Sequence, residues 1–375
     1  MLKIGHLLFY AETLHVIYLI LLNSAKTHLM GIPPRKEEDL TTMAKNILLE
    51  NLHFPLVYAG QGHFKLMWLA DFAMAFNGLF KVIEADKLKR VIQFMINTSY
   101  KQNHVFTSYS NKAGFDAPYS RADSLPWLLH CVSQHTTLTN TKDLLNANRQ
   151  KLELLLSGYE ETYCDKDGLI KDSVVGDWID TIKRPSSTWN NILALYTFKM
   201  ARHLNLKTAV SLEKLEIKLL EQRYKDGYLL DYFDSAFSSL DSAVLALYLE
   251  LFDKTVRTNL ALKLKNASNT TSIPCAIKPA LQNYPKSITP LVTRLTCDGY
   301  HSKACWPHLG LMYLNGLRSL NIPYTNELDS IEKVFWKHKN FVEVVSDDGN
   351  FFKKILTSDH SFTMAAGQYL ELISA

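Results

Sequence analysis

The sequence predicts an all-α chain closed into an (α/α)₆ toroid, with an extra helix at its N-terminus. Three observations carry that expectation. Long Val/Ile/Thr alternations are scarce, while apolar residues at three- and four-residue spacing are abundant, the period of helices rather than strands. A loose motif recurs six times, roughly every 50 to 65 residues, the scale of repeated supersecondary units. Between its copies lie helices of a different kind, each with a charged stripe. A helix apolar nearly all round belongs inside, and one with a charged stripe belongs outside. Six of each, alternating, give a double ring; an α-solenoid of similar helix pairs is the competing architecture.

In chain order, residues 1–35 form a helical extension and residues 36–375 the barrel. In the extension Leu14 to Leu22 is strongly apolar. Glu12 and His15 interrupt the apolar run, leaving it shorter than the roughly 20 residues of a spanning helix. It is expected to pack on the outside of the domain, with an uncleaved signal or anchor as the alternative. The six inner helices are expected near His63–Trp68, Ser120–Leu125, Ser186–Asn191, Ser238–Ala243, Lys303–His308 and Ser358–Thr363. The outer helices are expected at 37–52, 85–99, 142–162, 207–222, 251–265 and 325–337. Asp167-Gly168, Asp226-Gly227, Asp298-Gly299 and Asp348-Gly349 are turn signals in loops entering inner helices.

Composition narrows the function classes. The 375 residues are 47% hydrophobic and 21% charged, which suits a soluble domain with a large core. The net charge of +4 is spread along the chain with no long Lys/Arg block, so no nucleic-acid partner is expected. Five cysteines without a CxxC pair argue against a disulfide framework and for a reducing, cytoplasmic setting. Neither phosphate-binding glycine motif is present, so no nucleotide cofactor is expected. His63, His301, His308 and His360 fall near the predicted mouth without metal-ligand spacing, so no metal is expected either. The 18 Tyr, 18 Phe and 6 Trp could line a carbohydrate cleft as readily as a core.

The chemistry centres on two acidic segments. Asp177-Trp178-Ile179-Asp180 sets carboxylates beside a Trp just before the third inner helix. Glu343 lies inside the apolar run Phe341 to Val345, before the last one. A carboxylate in apolar surroundings costs free energy unless it is partnered or functional. In a six-unit ring the third and sixth units face each other, so Asp180 and Glu343 would approach one cavity from opposite walls. Paired carboxyls across a saccharide-sized cleft suit glycosidic hydrolysis, one giving a proton while the other activates water. Asp177 is the alternative acid.

These segments resemble the (α/α)₆ glycoside hydrolases: the amylo-α-1,6-glucosidase domain of glycogen debranching enzyme, glucosidase I, mannosylglycerate hydrolases and neutral invertases. The resemblance covers about residues 54 to 375. Phe64 to Met74 is similar to their W-x-R-D block, and Ser120 to Trp127 to their S-x-D block. Trp178-Ile179-Asp180 resembles W-M-D or M-I-D, which implies Asp180 as general acid. Glu343 to Gly349, followed by Ser361 to Gly367, resembles the terminal block whose Glu is the base. The resemblance implies an inverting hydrolase of a small α-glycoside or oligosaccharide end. It also implies Asp71, Asp123 and Asp241 as acceptors for sugar hydroxyls, each equally readable as a helix N-terminal charge. Trp68, Trp127, Trp189 and Trp306 are expected as stacking walls or inner-helix packing, with Asp177 and Trp178 beside them. Ala70 stands where the family carries an Arg that helps position the sugar. A small carbohydrate is the expected partner, without nucleic acid or membrane. A sugar epimerase with paired histidines and a non-catalytic carbohydrate binder remain as alternatives.

Overall fold

The computed structural model describes residues 18, 21–37, 39–62, 64–111, 113–116, 121–232, 235, 237–268 and 273–374. His63, Ser120 and residues 1–17, 19 and 20 of the extension, all named above, lie outside the described residues.

The apolar periodicity becomes two sets of helices. The inner set is α2 (Leu69–Met74) continued by α3 (Phe76–Leu79), α5 (Ser124–Thr139), α7 (Thr188–His203), α9 (Leu240–Tyr248), α12 (Pro307–Ser319) and α14 (Thr363–Ile373). The outer set is α1 (Leu40–Glu50), α4 (Ala85–Gln102), α6 (Asp143–Tyr163), α8 (Leu212–Arg223), α10 (Lys254–Ser268) and α13 (Thr325–His338). A short helix, α11 (Leu291–Thr296), lies in the connection from α10 to α12. Several starts are fixed by side-chain caps. Ser187 accepts from the Asn190 N–H at 3.2 Å, and Ser239 from the Ser242 N–H at 3.3 Å. Each satisfies a donor that the first helical turn leaves without a partner.

Each inner helix packs on the next: α2 on α5, α5 on α7, α7 on α9, α9 on α12, α12 on α14, and α14 on α2 and α3. The outer helices cover them pairwise, α4 and α6 on α5, α8 on α7, α10 on α9, α13 on α12 and α1 on α14. The last contact in the cycle needs glycine. A Cβ at Gly78 would lie 2.2 Å from the Gly367 carbonyl oxygen, and one at Gly367 would lie 2.5 Å from Ala75 Cβ. Trp127, Trp189, Phe72, Phe76, Phe198 and Tyr313 are fully buried between these layers. Burial of each such ring contributes roughly 1.5–3 kcal/mol.

The chain departs from all-α in three small antiparallel sheets. They are β1 (Leu52–His53) with β2 (Leu56–Val57), β3 (Met67–Trp68) with β4 (Ser108–Tyr109) and β5 (Gly114–Phe115), and β6 (Tyr224–Lys225) with β7 (Tyr228–Leu229). Two-residue strands have no period to read in a sequence. The Asp-Gly turns adopt left-handed backbone at glycine, with φ of 89° at Gly168, 82° at Gly227, 86° at Gly299 and 74° at Gly349. All five cysteines are buried. The helical segment 21–30 is fastened by Ser24, whose hydroxyl donates to the Ile355 carbonyl at 3.0 Å and accepts from the Thr357 N–H at 2.7 Å. Among the described residues no helix is long and apolar enough to cross a membrane.

Candidate active site

The loops that lead into the inner helices enclose a cavity of about 310 Å³. Its lining comes from distant parts of the chain: Phe64 to Met74, Arg121, Trp178 to Thr181, Val292 to His308, and Glu343 to Met364. Asp71, Asp180 and Glu343 all line it, together with Trp68, Trp178, Tyr300, His301 and Trp306.

Glu343 is held from two sides. Its N–H donates to the Asp359 carbonyl at 3.1 Å, and Val342 bridges His360 in an antiparallel pair. The apolar neighbours Phe341, Val342, Val344 and Val345 are completely buried. Each of its oxygens accepts one hydrogen bond. Tyr300 donates its hydroxyl to Oε1 at 2.6 Å, and the Asp359 N–H donates to Oε2 at 2.9 Å. Burial holds this carboxyl well above the usual range; the Tyr300 bond opposes that rise, and the charges of Asp359 and Asp71 add to it. Asp359 is itself buried and accepts from Gly62 N–H at 2.8 Å, Phe64 N–H at 2.8 Å and His360 N–H at 2.6 Å. It therefore ties the loop carrying Phe64 to the strand carrying Glu343.

Asp180 sits half-buried on the segment before α7. Burial pushes its carboxyl up to about 6, against the pull of Arg121 and with the push of Asp177. Asp71, in the first turn of α2, is pushed up to about 7 by burial, again opposed by Arg121. Among the described lining residues Arg121 is the only Lys or Arg, and Ala70 lines the cavity as well. Arg121 is 5% exposed and is held by Asp123 Oδ1 at 3.3 Å and the Asp177 carbonyl at 3.2 Å.

The aromatic wall is organised around Trp178. Its ring lies 5.2 Å from Trp306 and 5.4 Å from His301, edge to face in both cases. His301 stacks on Trp306 at 4.9 Å with only 8° between the planes. The Thr181 hydroxyl and His301 Nδ1 share a hydrogen bond of 2.6 Å. Burial pushes the His308 imidazole down to about 3 and carries His301 well below its ordinary value, so both rings are neutral.

Five residues expected at the sugar do not reach the cavity. Trp127 and Trp189 are fully buried core residues of α5 and α7. Asp123 is buried against Arg121. Asp177 and Asp241 belong to an ion cluster behind the Trp178 wall, centred on Arg184. The Arg184 guanidinium meets Asp177 Oδ2 at 2.9 Å, Asp231 Oδ1 at 2.6 Å and Asp241 Oδ2 at 3.0 Å, and all four side chains are fully buried. Asp241 also accepts from the Trp178 indole N–H at 2.7 Å, and Asp177 Oδ1 accepts from the Ile179 N–H at 2.8 Å. An acidic residue beside a tryptophan reads alike whether it faces a ligand or an arginine, and the arginine here could not be placed from sequence. Arg184, Asp231, Tyr300 and Asp359 were all missed. Tyr300 had the best available signal, since it directly follows the Asp298-Gly299 turn. Among the described residues no group of three or more His, Cys, Asp or Glu could hold a metal ion.

No protein-family model and no curated protein matches the sequence. Solved structures do match its fold. A rhamnosidase from Klebsiella oxytoca with rhamnose bound superposes with TM-score 0.61 at 12% identity, over 92% of this chain and 66% of that one. This chain thus spans just under two thirds of that rhamnosidase. The GH63 mannosylglycerate hydrolase from Thermus thermophilus, in complex with Tris and D-glycerate, superposes with TM-score 0.65 at 11% identity, over 89% of this chain and all of that one. A wild-type glycosidase gives TM-score 0.64 at 10% identity, over 89% and 95%. The likeness to these structures is one of fold.

Proposed function

We propose that this chain is an inverting glycoside hydrolase on an (α/α)₆ toroid, with Asp180 as general acid and Glu343 as general base. The observation that carries the reading is the meeting of these two carboxyls, 163 residues apart in sequence numbering, on one aromatic-walled cavity. The cyclic order of helix contacts and the similarity to solved glycosidases support the toroid. Its substrate is a small α-glycoside or an oligosaccharide end, a size that suits a cavity of about 310 Å³.

In this mechanism Asp180 gives its proton to the departing glycosidic oxygen. A carboxyl raised to about 6 keeps a protonated fraction near neutral pH, which a general acid needs. Glu343 takes the proton of a water that attacks the opposite face of the sugar. The donors from Tyr300 and the Asp359 backbone fix both its oxygens and favour its ionised form, while burial opposes that form. The productive state has the proton on Asp180 and Glu343 ionised, the form that its two donors favour against the rise that burial imposes. Trp178, Trp306 and Trp68 offer faces or edges to the sugar ring, Asp71 accepts from a hydroxyl, and Arg121 takes the positioning task of the missing arginine.

His301 and His308 supply the pair that an epimerase would need. Imidazoles held far below their ordinary range are weak bases, which favours hydrolysis instead. Incubation with a library of glycosides and chromatography of the products tests the assignment. Release of a free sugar from an α-glycoside is expected; isomerised sugar without hydrolysis, or no reaction across the library, would overturn it.

A further inference from the structure

Beside the cavity mouth three separate segments turn apolar side chains to solvent. On α11, Leu291 is 62% exposed, Val292 66% and Leu295 68%. On the turn between Lys353 and Thr357, which bridge one another, Ile355 is 60% exposed. On the helical segment 21–30, Ser24 and Thr27 face inward while Leu21, Leu22, Leu29 and Met30 face out. The segments are joined to one another. Leu356 N–H donates to the Thr296 carbonyl at 3.1 Å, and Ser24 bonds Ile355 and Thr357 as described above. Val292, Thr296 and Leu356 line the cavity from the same segments, so the apolar surface and the cavity share a rim.

The charges on these segments are nearly all of one sign. Lys26, Lys286, Lys303, Lys353 and Lys354 are exposed, and Asp298 is the one acidic residue within 21–30, 286–303 and 353–357. Leu14 to Ile20, which leads into the first segment, is apolar in sequence. Exposed aliphatic side chains mixed with lysines are what a surface needs to sit at a lipid interface. The apolar groups enter the acyl boundary, and the lysines are drawn to an anionic leaflet. A protein partner that buried the same chains would have to match the lysines with acidic groups of its own. A contiguous apolar patch of this kind marks an interaction site.

We infer that the cavity rim formed by α11, the 353–357 turn and the segment 21–30 docks on an anionic lipid surface. This departs from the expectation of no membrane partner, because the exposure on which it rests is invisible in the sequence. The inference stands apart from the proposed glycosidase activity, because its test reads no catalysis.

The full chain is sedimented with vesicles of phosphatidylcholine alone and of phosphatidylcholine mixed with phosphatidylglycerol. It is expected to pellet with the mixed vesicles, less so as salt rises. The variant Leu291→Ser/Leu295→Ser/Ile355→Ser should lower the bound fraction roughly tenfold, the scale of losing a few exposed aliphatic contacts. Lys353→Glu/Lys354→Glu should lose binding to the mixed vesicles by a similar factor. Circular dichroism and melting temperature of both variants should match the parent, since the altered side chains are exposed. Failure of the parent to pellet with either vesicle overturns the inference. So does undiminished binding by the triple variant, which would assign the attachment to the N-terminal sequence alone. A parent that runs as a dimer which the triple variant dissociates also overturns it, because the rim would then be a contact between copies.

Discussion

Two groups of acidic side chains lie on either side of the Trp178 wall, and they are built in opposite ways. Behind the wall, Asp177, Asp231 and Asp241 surround Arg184, with no exposure to solvent. In front of it, Asp71, Asp180 and Glu343 face a cavity, and the nearest cation, Arg121, is bonded to Asp123 and to the Asp177 backbone. The rear group holds structure: it fixes the Trp178 indole and the turn that carries Asp180. Burial raises Asp71 to about 7 and Asp180 to about 6 in front of the wall and Asp231 to about 6 behind it, so the two groups differ in their partners rather than in their shifts. Residue type and sequence context are alike on both sides. The presence of a dedicated guanidinium separates a buried strut from a carboxyl left facing a cavity.

The comparison breaks first on turnover. Asp180→Asn and Glu343→Gln should each lower kcat by roughly 10²- to 10⁴-fold, the scale of general acid–base groups. Their melting temperatures at neutral pH should hold or rise. A carboxyl raised from 3.8 in the unfolded chain to about 6 in the fold weakens the fold as pH climbs through that window, and asparagine removes the penalty. Near-normal turnover in both variants, or a marked loss of stability, would place these residues with the rear group.

The rear group should respond in the opposite sense. Arg184→Met leaves three buried aspartates without their counter-ion and should cost about 3–5 kcal/mol in chemical denaturation. If the variant melts like the parent, the cluster is not the strut described here.

A smaller effect sharpens the front group. Tyr300→Phe removes a donor that favours ionised Glu343, so the pKa of that carboxyl rises further. The base must be deprotonated to act, so the acidic limb of the kcat/KM profile should move to higher pH. An unmoved or lowered limb would separate Tyr300 from the base.

Much of the helical layout was legible in the sequence, because an apolar period of three and four residues survives any detail of packing. The expected outer helix at 142–162 is α6 at Asp143–Tyr163, and the one at 325–337 is α13 at Thr325–His338. Glu343 and Asp180 stood out for a physical reason, a carboxyl in apolar or aromatic company. The same reasoning sent Asp177 and Asp241 to the wrong side of the wall, since their partner Arg184 sits in Lys183-Arg184-Pro185, which reads as a solvated loop. Asp231 and Asp359 were illegible for a related reason. Their roles depend on contacts with segments 47 and about 300 residues away in sequence.

The central claim is direct attack by water across the Asp180 and Glu343 pair, and the configuration of the first product tests it most directly. Such a mechanism leaves room for water between base and sugar, with the carboxyls roughly 6.5–9.5 Å apart, and inverts the anomeric centre. Proton NMR of the released sugar, recorded before mutarotation, should therefore show the β-anomer first from an α-linked substrate. Initial appearance of the α-anomer would contradict the account, since it requires a glycosyl-enzyme intermediate and a second displacement.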